Sequence, residues 1–251
     1  MDVVKVSWSG GKDSSCAAHL HMLQGDDCII CNYTPMFTEK IPLILKDHYE
    51  FILQTADRFR EMGAKVHIVH GETYWDYVTR IAKAGKNEGK ILGFPCFIRG
   101  QCGFKRDSKE KAISKLDSLF SLKYDYQDIG IAYDEADRRK QLSEIKRSIL
   151  VERKITEEMA TQYCKKNGLY SPHYIRFNRD GCVLCPHAPA RERNEWFMQY
   201  PEAFELVLQL QERVRQERPE MYPLRNYRYF IEEDLQIGLF DEVGKIKYLI
   251  N

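Results

Sequence analysis

No apolar run in the sequence is long enough to span a bilayer, which argues against a transmembrane helix. The N-terminus reads as a strand rather than a charged leader followed by an apolar stretch, so a cytoplasmic protein with no membrane partner is expected. Excess charge of either sign is missing too: 38 Lys and Arg stand against 37 Asp and Glu, for a net charge of +1. Binding to nucleic acid through bulk positive charge is thereby excluded, although a local basic patch is not. Internal repeats and low-complexity tracts are absent, and with them solenoids and disordered linkers. Neither G-x-x-x-x-G-K-[ST] nor G-x-G-x-x-G occurs. Cysteine is not scarce, but none of the eight follows Cys185. In a cytoplasmic chain they read as thiols or metal ligands rather than disulfides.

What is present centres on Ser9-Gly10-Gly11-Lys12-Asp13-Ser14. Ahead lies Val3–Trp8, β-branched and apolar; behind, Ser15–Leu23 reads as helix. A strand, a Gly-Gly turn and a helix start aim backbone N–H groups at one point, which suits an anionic phosphate. The glycines allow close approach of an anion. Lys12 adds a charge, and Ser9 and Ser14 add hydroxyls. Asp13 repels phosphate and is better explained by a Mg²⁺ bridge. A plain Gly-rich turn with Asp13 and Ser14 as caps is the alternative.

Downstream, strands and helices alternate. Strands are expected at Cys28–Tyr33, Lys65–His70 and Asp128–Tyr133, with a short one at Ser148–Val151. A long amphipathic helix is expected over Ile44–Met62, closed by Gly63, and another over Thr73–Ala84. A basic, Gly-containing loop, Ala84–Lys90, is a lid or a solvated connection. A helix runs to about Phe120, Thr156 caps the next, which Gly168 ends, and Ala190 to about Glu217 is helical with a break at Pro201. Alternation of this kind predicts an α/β fold with a parallel sheet. Residues 1–155 are read as the nucleotide-binding α/β domain, and 156–251 as a helical region carrying Cys-x-x-Cys. Ligands of such sheets sit beyond the carboxyl ends of strands. Asn32, Tyr33 and Thr34 therefore stand where adenine could be read, with ordinary strand exit as the alternative. Asp134 and Glu135 could orient ribose, bind Mg²⁺ or simply pair with Arg138.

Cys182-x-x-Cys185 is the strongest metal signal, and Cys96 and Cys102 are its natural second half. Four thiolates suit Zn²⁺ or a [4Fe–4S] cluster. Cys16, Cys28, Cys31 and Cys164 read as small core residues.

The Ser9–Ser14 hexapeptide resembles the SGGxDS loop of the PP-loop ATP pyrophosphatases, which cleave ATP between the α- and β-phosphates. Together with Cys102–Arg106, Gly130–Arg139, Asn167–Tyr174 and Gly181–Pro186, it is similar to the PAPS reductase family over roughly Val3 to Glu212. The resemblance implies an adenine nucleotide α-hydrolase-like (HUP-type) five-stranded parallel sheet. It implies ATP and Mg²⁺ held by Ser7, Ser9–Ser14 and the strand ends, with Lys12 and Asp13 at the phosphates; Lys105, Arg106 and Arg138 are candidates for contacting phosphates or an anionic substrate, with a solvated basic face as the alternative. It also favours a cluster over zinc at the cysteines. The family holds both sulfonucleotide reductases and ATP-using sulfur-transfer enzymes. The reductases resembling this chain place a nucleophilic Cys in a C-terminal tail, and here that thiol is missing. The expectation is an adenylating, ATP-dependent enzyme of sulfur transfer. Its acceptor is not readable; a nucleic acid or a sulfur-donor protein would serve, and a homodimer is admitted. A sulfonucleotide reductase using an external thiol, or a nucleotide-binding module with structural zinc, are the alternatives.

Overall fold

Apolar, β-branched Val3–Trp8 forms a strand with neighbours on both edges, and the rest of the sheet is built outward from it. The computed structural model describes residues 2–95, 97–98, 101–120, 123–185 and 187–221. In chain order the elements begin β1 (Val3–Trp8), α1 (Lys12–Gln24), β2 (Asp27–Tyr33), α2 (Lys46–Glu61), β3 (Lys65–Val69) and α3 (Tyr74–Thr79). The two-residue β4 (Phe97–Ile98) and β5 (Gln101–Cys102) follow, then a π-helical turn over Lys105–Glu110 and α4 (Lys111–Phe120). The remainder is β6 (Tyr126–Ile129), α5 (Ala136–Arg139), β7 (Lys146–Arg147), α6 (Ile149–Glu152), α7 (Glu157–Lys166), α8 (Ala190–Gln199) and α9 (Pro201–Glu217).

Two compact units emerge. The first takes the described parts of Met1–Pro35, Lys46–Gly71 and Arg106–Asp180; the second takes those of Met36–Leu45, Glu72–Lys105 and Gly181–Asn251. The boundary expected between residues 155 and 156 falls inside the first unit. Its cause is packing: α7 lies along α1, with His19 Nδ1 2.7 Å from Tyr163 Oη. Nothing local in an amphipathic helix marks which neighbour it will choose.

The first unit holds a five-stranded, all-parallel sheet in the order β3-β2-β1-β6-β7. The α/β class and the parallel sheet with flanking helices are as expected. Strand periodicity sorts the faces. Trp8 meets Phe59 of α2 edge-on and donates to Ser15 Oγ of α1 at 2.8 Å. On the opposite face, Ile29 and Cys31 pack against Leu116 and Ile113 of α4. A sheet buried on both sides explains why β2 is apolar without alternation.

Three local expectations are corrected. The fourth parallel strand is Tyr126–Ile129, not Asp128–Tyr133, because it pairs Val4 with Tyr126 and Ser7 with Ile129. The chain then leaves the sheet at Gly130, where a Cβ would lie 2.5 Å from Ser14 N, so glycine lets the start of α1 approach. Ser148–Val151 is a helix start rather than a strand: Ser148 caps α6 through Val151 N at 3.4 Å and donates to Ile131 O at 2.8 Å. Tyr74–Thr79 ends well short of Ala84, because Arg80 turns extended and Ile81 bridges Ile91. That bridge closes the basic loop, with Ala82 N donating to Lys90 O at 2.9 Å.

The second unit is organised by Trp196 of α8, which is fully buried. Its indole donates to Pro42 O at 2.9 Å and meets Phe37 edge-on. Arg218 ties the end of α9 to the carbonyls of Ile91 and Leu92, both at 2.7 Å. The helical break at Pro201 stands as expected.

Candidate functional site

The carboxyl ends of β1 and β6 adjoin where the strand order reverses, the crevice in which open parallel sheets take ligands. Ser9–Ser14 lies there. Gly10 has φ +82°, a conformation that favours glycine. A Cβ on it would meet Ile52 Cγ1 at 2.6 Å and His48 Cε1 at 3.1 Å. The loop is cross-braced by its serines. Ser14 Oγ accepts from Ser9 N at 3.1 Å, and Ser9 Oγ accepts from Gly11 N at 3.2 Å.

Lys12 points into a carboxylate neighbourhood: Nζ is 3.0 Å from Asp13 Oδ2 and 2.5 Å from Glu157 Oε1. Burial works to lower its pKa, but Glu157 and Asp13 outweigh this and leave it raised. Asp13 is itself raised, by burial first, against the opposing pull of Lys12. Its Oδ1 is buried with no hydrogen-bond partner among the described residues. An orphaned acceptor oxygen beside an anion nest is the environment in which a carboxylate holds a divalent cation, so the donor set fits Mg²⁺.

Two side chains close over the loop from the segment before Gly181, neither of them among the expected site residues. Asp180 Oδ2 is 3.2 Å from Ser9 Oγ, and a Cβ on Gly11 would lie 2.5 Å from it. The hydroxyl of Tyr174 lies 3.1 Å from where a Gly11 Cβ would stand; burial, then the charges of Asp180 and Asp13, push its pKa up. Behind them runs a relay of His48, Ser171 and His173. His173 Nε2 lies 2.7 Å from Arg179 O, and a carbonyl only accepts, so that nitrogen carries the proton. Both imidazole pKa values are lowered, chiefly by burial, His48 to about 3. In the neutral rings, His173 Nδ1 therefore accepts from Ser171 Oγ at 2.9 Å, and Ser171 accepts from His48 Nδ1 at 2.9 Å. This relay pins the backbone immediately ahead of Asp180.

A cavity of about 360 Å³ adjoins the loop on the α4 side of the sheet, lined among others by Ser7, Ser9, Tyr33, Lys109 and Gln127. Deeper in it, buried Lys5 pairs with both oxygens of Asp117 at 2.7 and 2.6 Å. Of the expected nucleotide residues, Ser7, Ser9 and Tyr33 line this space. Asn32 and Thr34 do not: Asn32 donates to Trp8 O at 3.1 Å and accepts from Thr34 Oγ1 at 2.7 Å, both fully buried. Their strand positions turn them to the other face. Thr34 N is also engaged, donating to Val69 O at 3.1 Å.

Asp134 Oδ1 receives Glu157 N at 3.0 Å and so positions the residue that meets Lys12. Glu135 receives Ala132 N at 2.9 Å and Arg138 at 2.6 Å, the ion-pair reading of that segment. Arg106 is exposed and pairs with Asp107. Lys105, also exposed, belongs to the second unit.

In the second unit, Cys185 N donates to Cys182 O at 3.1 Å, closing a turn between the two cysteines. Cys102 is an electrostatic neighbour of Cys185. Burial raises its thiol, the backbone N–H groups of Lys105 and Phe104 oppose this, and Cys185 adds to it. Cys96 lies outside the described residues. Among the described residues, no three His, Cys, Asp or Glu side chains converge closely enough to hold a metal ion. Cys16, Cys28, Cys31 and Cys164 are buried, as expected of core residues.

Compared with known proteins, the chain matches no family model and no curated protein.

Proposed function

We propose that the first unit is an ATP-binding, adenylating enzyme of the adenine nucleotide α-hydrolase-like fold, akin to the PAPS reductase family and working in sulfur transfer. The observation that carries this reading is the Gly10–Gly11 nest at the carboxyl end of β1. It opens beside a cavity of nucleoside size, with a raised lysine and an orphaned carboxylate oxygen at the helix start.

In this reading the α1 N–H groups, Ser9, Ser14 and Lys12 hold the β- and γ-phosphates, and the nucleoside lies toward Ser7 and Tyr33. An acceptor oxygen attacks the α-phosphorus in line. The new O–Pα bond forms as the Pα–O bond to pyrophosphate breaks, and the acceptor is left as its adenylate. The chain's contribution is positioning and charge neutralisation at the departing pyrophosphate. Mg²⁺, when bound, would be held by Asp13 and would neutralise phosphate charge. Arg138 and Arg106 keep their proposed parts as phosphate or substrate contacts, and Lys105 keeps its part as a contact for an anionic substrate. The cysteines of the second unit would hold a [4Fe–4S] cluster or Zn²⁺ through Cys182, Cys185, Cys102 and Cys96, where sulfur chemistry follows adenylation.

Calorimetric titration tests the nucleotide assignment. Lys12→Ala should weaken ATP binding by at least about tenfold more than AMP binding, because charge-assisted contacts to the outer phosphates are lost. Equal losses for both ligands would sink it. With ATP and Mg²⁺ present, release of pyrophosphate rather than phosphate identifies the bond cleaved.

A further inference from the structure

An anion nest that is partly buried must satisfy its N–H and O–H donors when no ligand is bound. Here the chain supplies the acceptors itself. Asp180 places a carboxylate oxygen 3.2 Å from Ser9 Oγ, in the space over Gly11 where even a Cβ would clash. The Tyr174 hydroxyl lies over the same glycine, 3.1 Å from where its Cβ would stand. The two groups, a carboxylate and a hydroxyl, cover the nest where phosphate oxygens would lie. The His48–Ser171–His173 relay, ending on Arg179 O, holds this pair in place.

We propose that the Tyr174–Asp180 pair is a resident stand-in for the ligand's phosphate, which an incoming polyphosphate must displace. The inference rests on the nucleotide reading above and adds the element that sets affinity and selectivity. A carboxylate within a few ångströms of a bound phosphate repels it in a site of reduced dielectric. Ligands rich in negative charge and able to bring a counter-cation overcome this; a single phosphate does so poorly. Gly11 is then required less for its own φ than for the room these two side chains occupy.

The test is calorimetry with inorganic pyrophosphate and with ATP, each with Mg²⁺, on wild type and on Asp180→Asn, which keeps shape and removes charge. Binding of both ligands should tighten by about fivefold or more. Asp180→Ala, tested beside it, should do the same should Asp180→Asn fold poorly. In wild-type chain carrying labelled tyrosine, saturating pyrophosphate should shift the Tyr174 ring resonances, assigned with Tyr174→Phe. Unchanged or weaker binding in folded variants, or an unmoved Tyr174 signal, overturns the proposal while leaving the nucleotide reading intact. If neither wild type nor variants bind either ligand, the nucleotide reading fails and this inference falls with it.

Discussion

Lys12 and Glu157 form a 2.5 Å ion pair joining the first turn of α1 to the first turn of α7, across 145 residues of sequence. The two ends differ in burial: Lys12 is 18% exposed and Glu157 55%. Glu157→Gln should therefore cost under about 1 kcal/mol, as solvent-facing pairs do. Lys12→Ala should cost more, about 1–3 kcal/mol, because it leaves the Asp13 carboxylate buried without its cation. Urea denaturation of both variants checks the order; equal costs would contradict it.

Glycine is demanded unequally along the chain. Gly10→Ala combines a left-handed backbone with a clash against Ile52, and should destabilise by about 2–4 kcal/mol. Gly63 has φ +99° but open space around it, so Gly63→Ala should cost only about 1 kcal/mol. Thermal melts of the two variants measure the difference.

His21 stands between two carboxylates, with Nδ1 2.8 Å from Asp26 and Nε2 3.0 Å from Asp128. Burial lowers its pKa, but Asp128 and then Asp26 outweigh this and leave it raised. A folded pKa above the unfolded value of about 6.5 means the native state binds the extra proton. This stabilisation is complete below about pH 6.5 and is lost as pH rises through the folded value. His48 has the opposite sign. Neutral in the fold with a pKa of about 3, it lets stability fall as pH drops below about 6.5. Denaturation free energies should accordingly decline on both sides of mildly acidic pH, by up to about 1.4 kcal/mol per pH unit for each proton involved. His21→Asn should remove the alkaline decline alone; its persistence would refute the assignment.

The cysteine loop makes a separate prediction. Protein made without oxygen should carry iron or zinc, and Cys182→Ser should lose most of it and destabilise the second unit, because thiolate ligation adds to folding free energy. Metal analysis that finds neither element in wild type defeats the idea.

Reduction of a sulfonucleotide needs a thiolate that reaches sulfur. Burial holds the Cys28 and Cys31 thiols up at about 12 and about 11, and Cys16 and Cys164 are fully buried. Incubation with PAPS or APS, thioredoxin and its reductase should yield no sulfite above background. Steady sulfite production would restore the reductase reading.

Much of the framework was legible in residue order because its causes are local. Val3–Trp8, the Gly10–Gly11 turn, the 3.6-residue rhythm of α2 and the Thr156 cap each depend on groups within a turn or two of one another. The same locality misled at Ser148, where one cap hydrogen bond turned a β-branched run into a helix, and at β6, whose register belongs to its partner strand. The side chains of Asn32 and Thr34 turn away from the cavity that Tyr33 lines, a matter of strand pleat. Tyr174 closed the Asn167–Tyr174 stretch without a role assigned to it, and Asp180 carried no sequence signal: it meets Ser9 across 171 positions. Hydrogen-bond propensity and periodicity act along the chain. Which carboxylate lies over a helix start depends on how the crossovers fold back across the sheet, and long-range packing alone makes that choice.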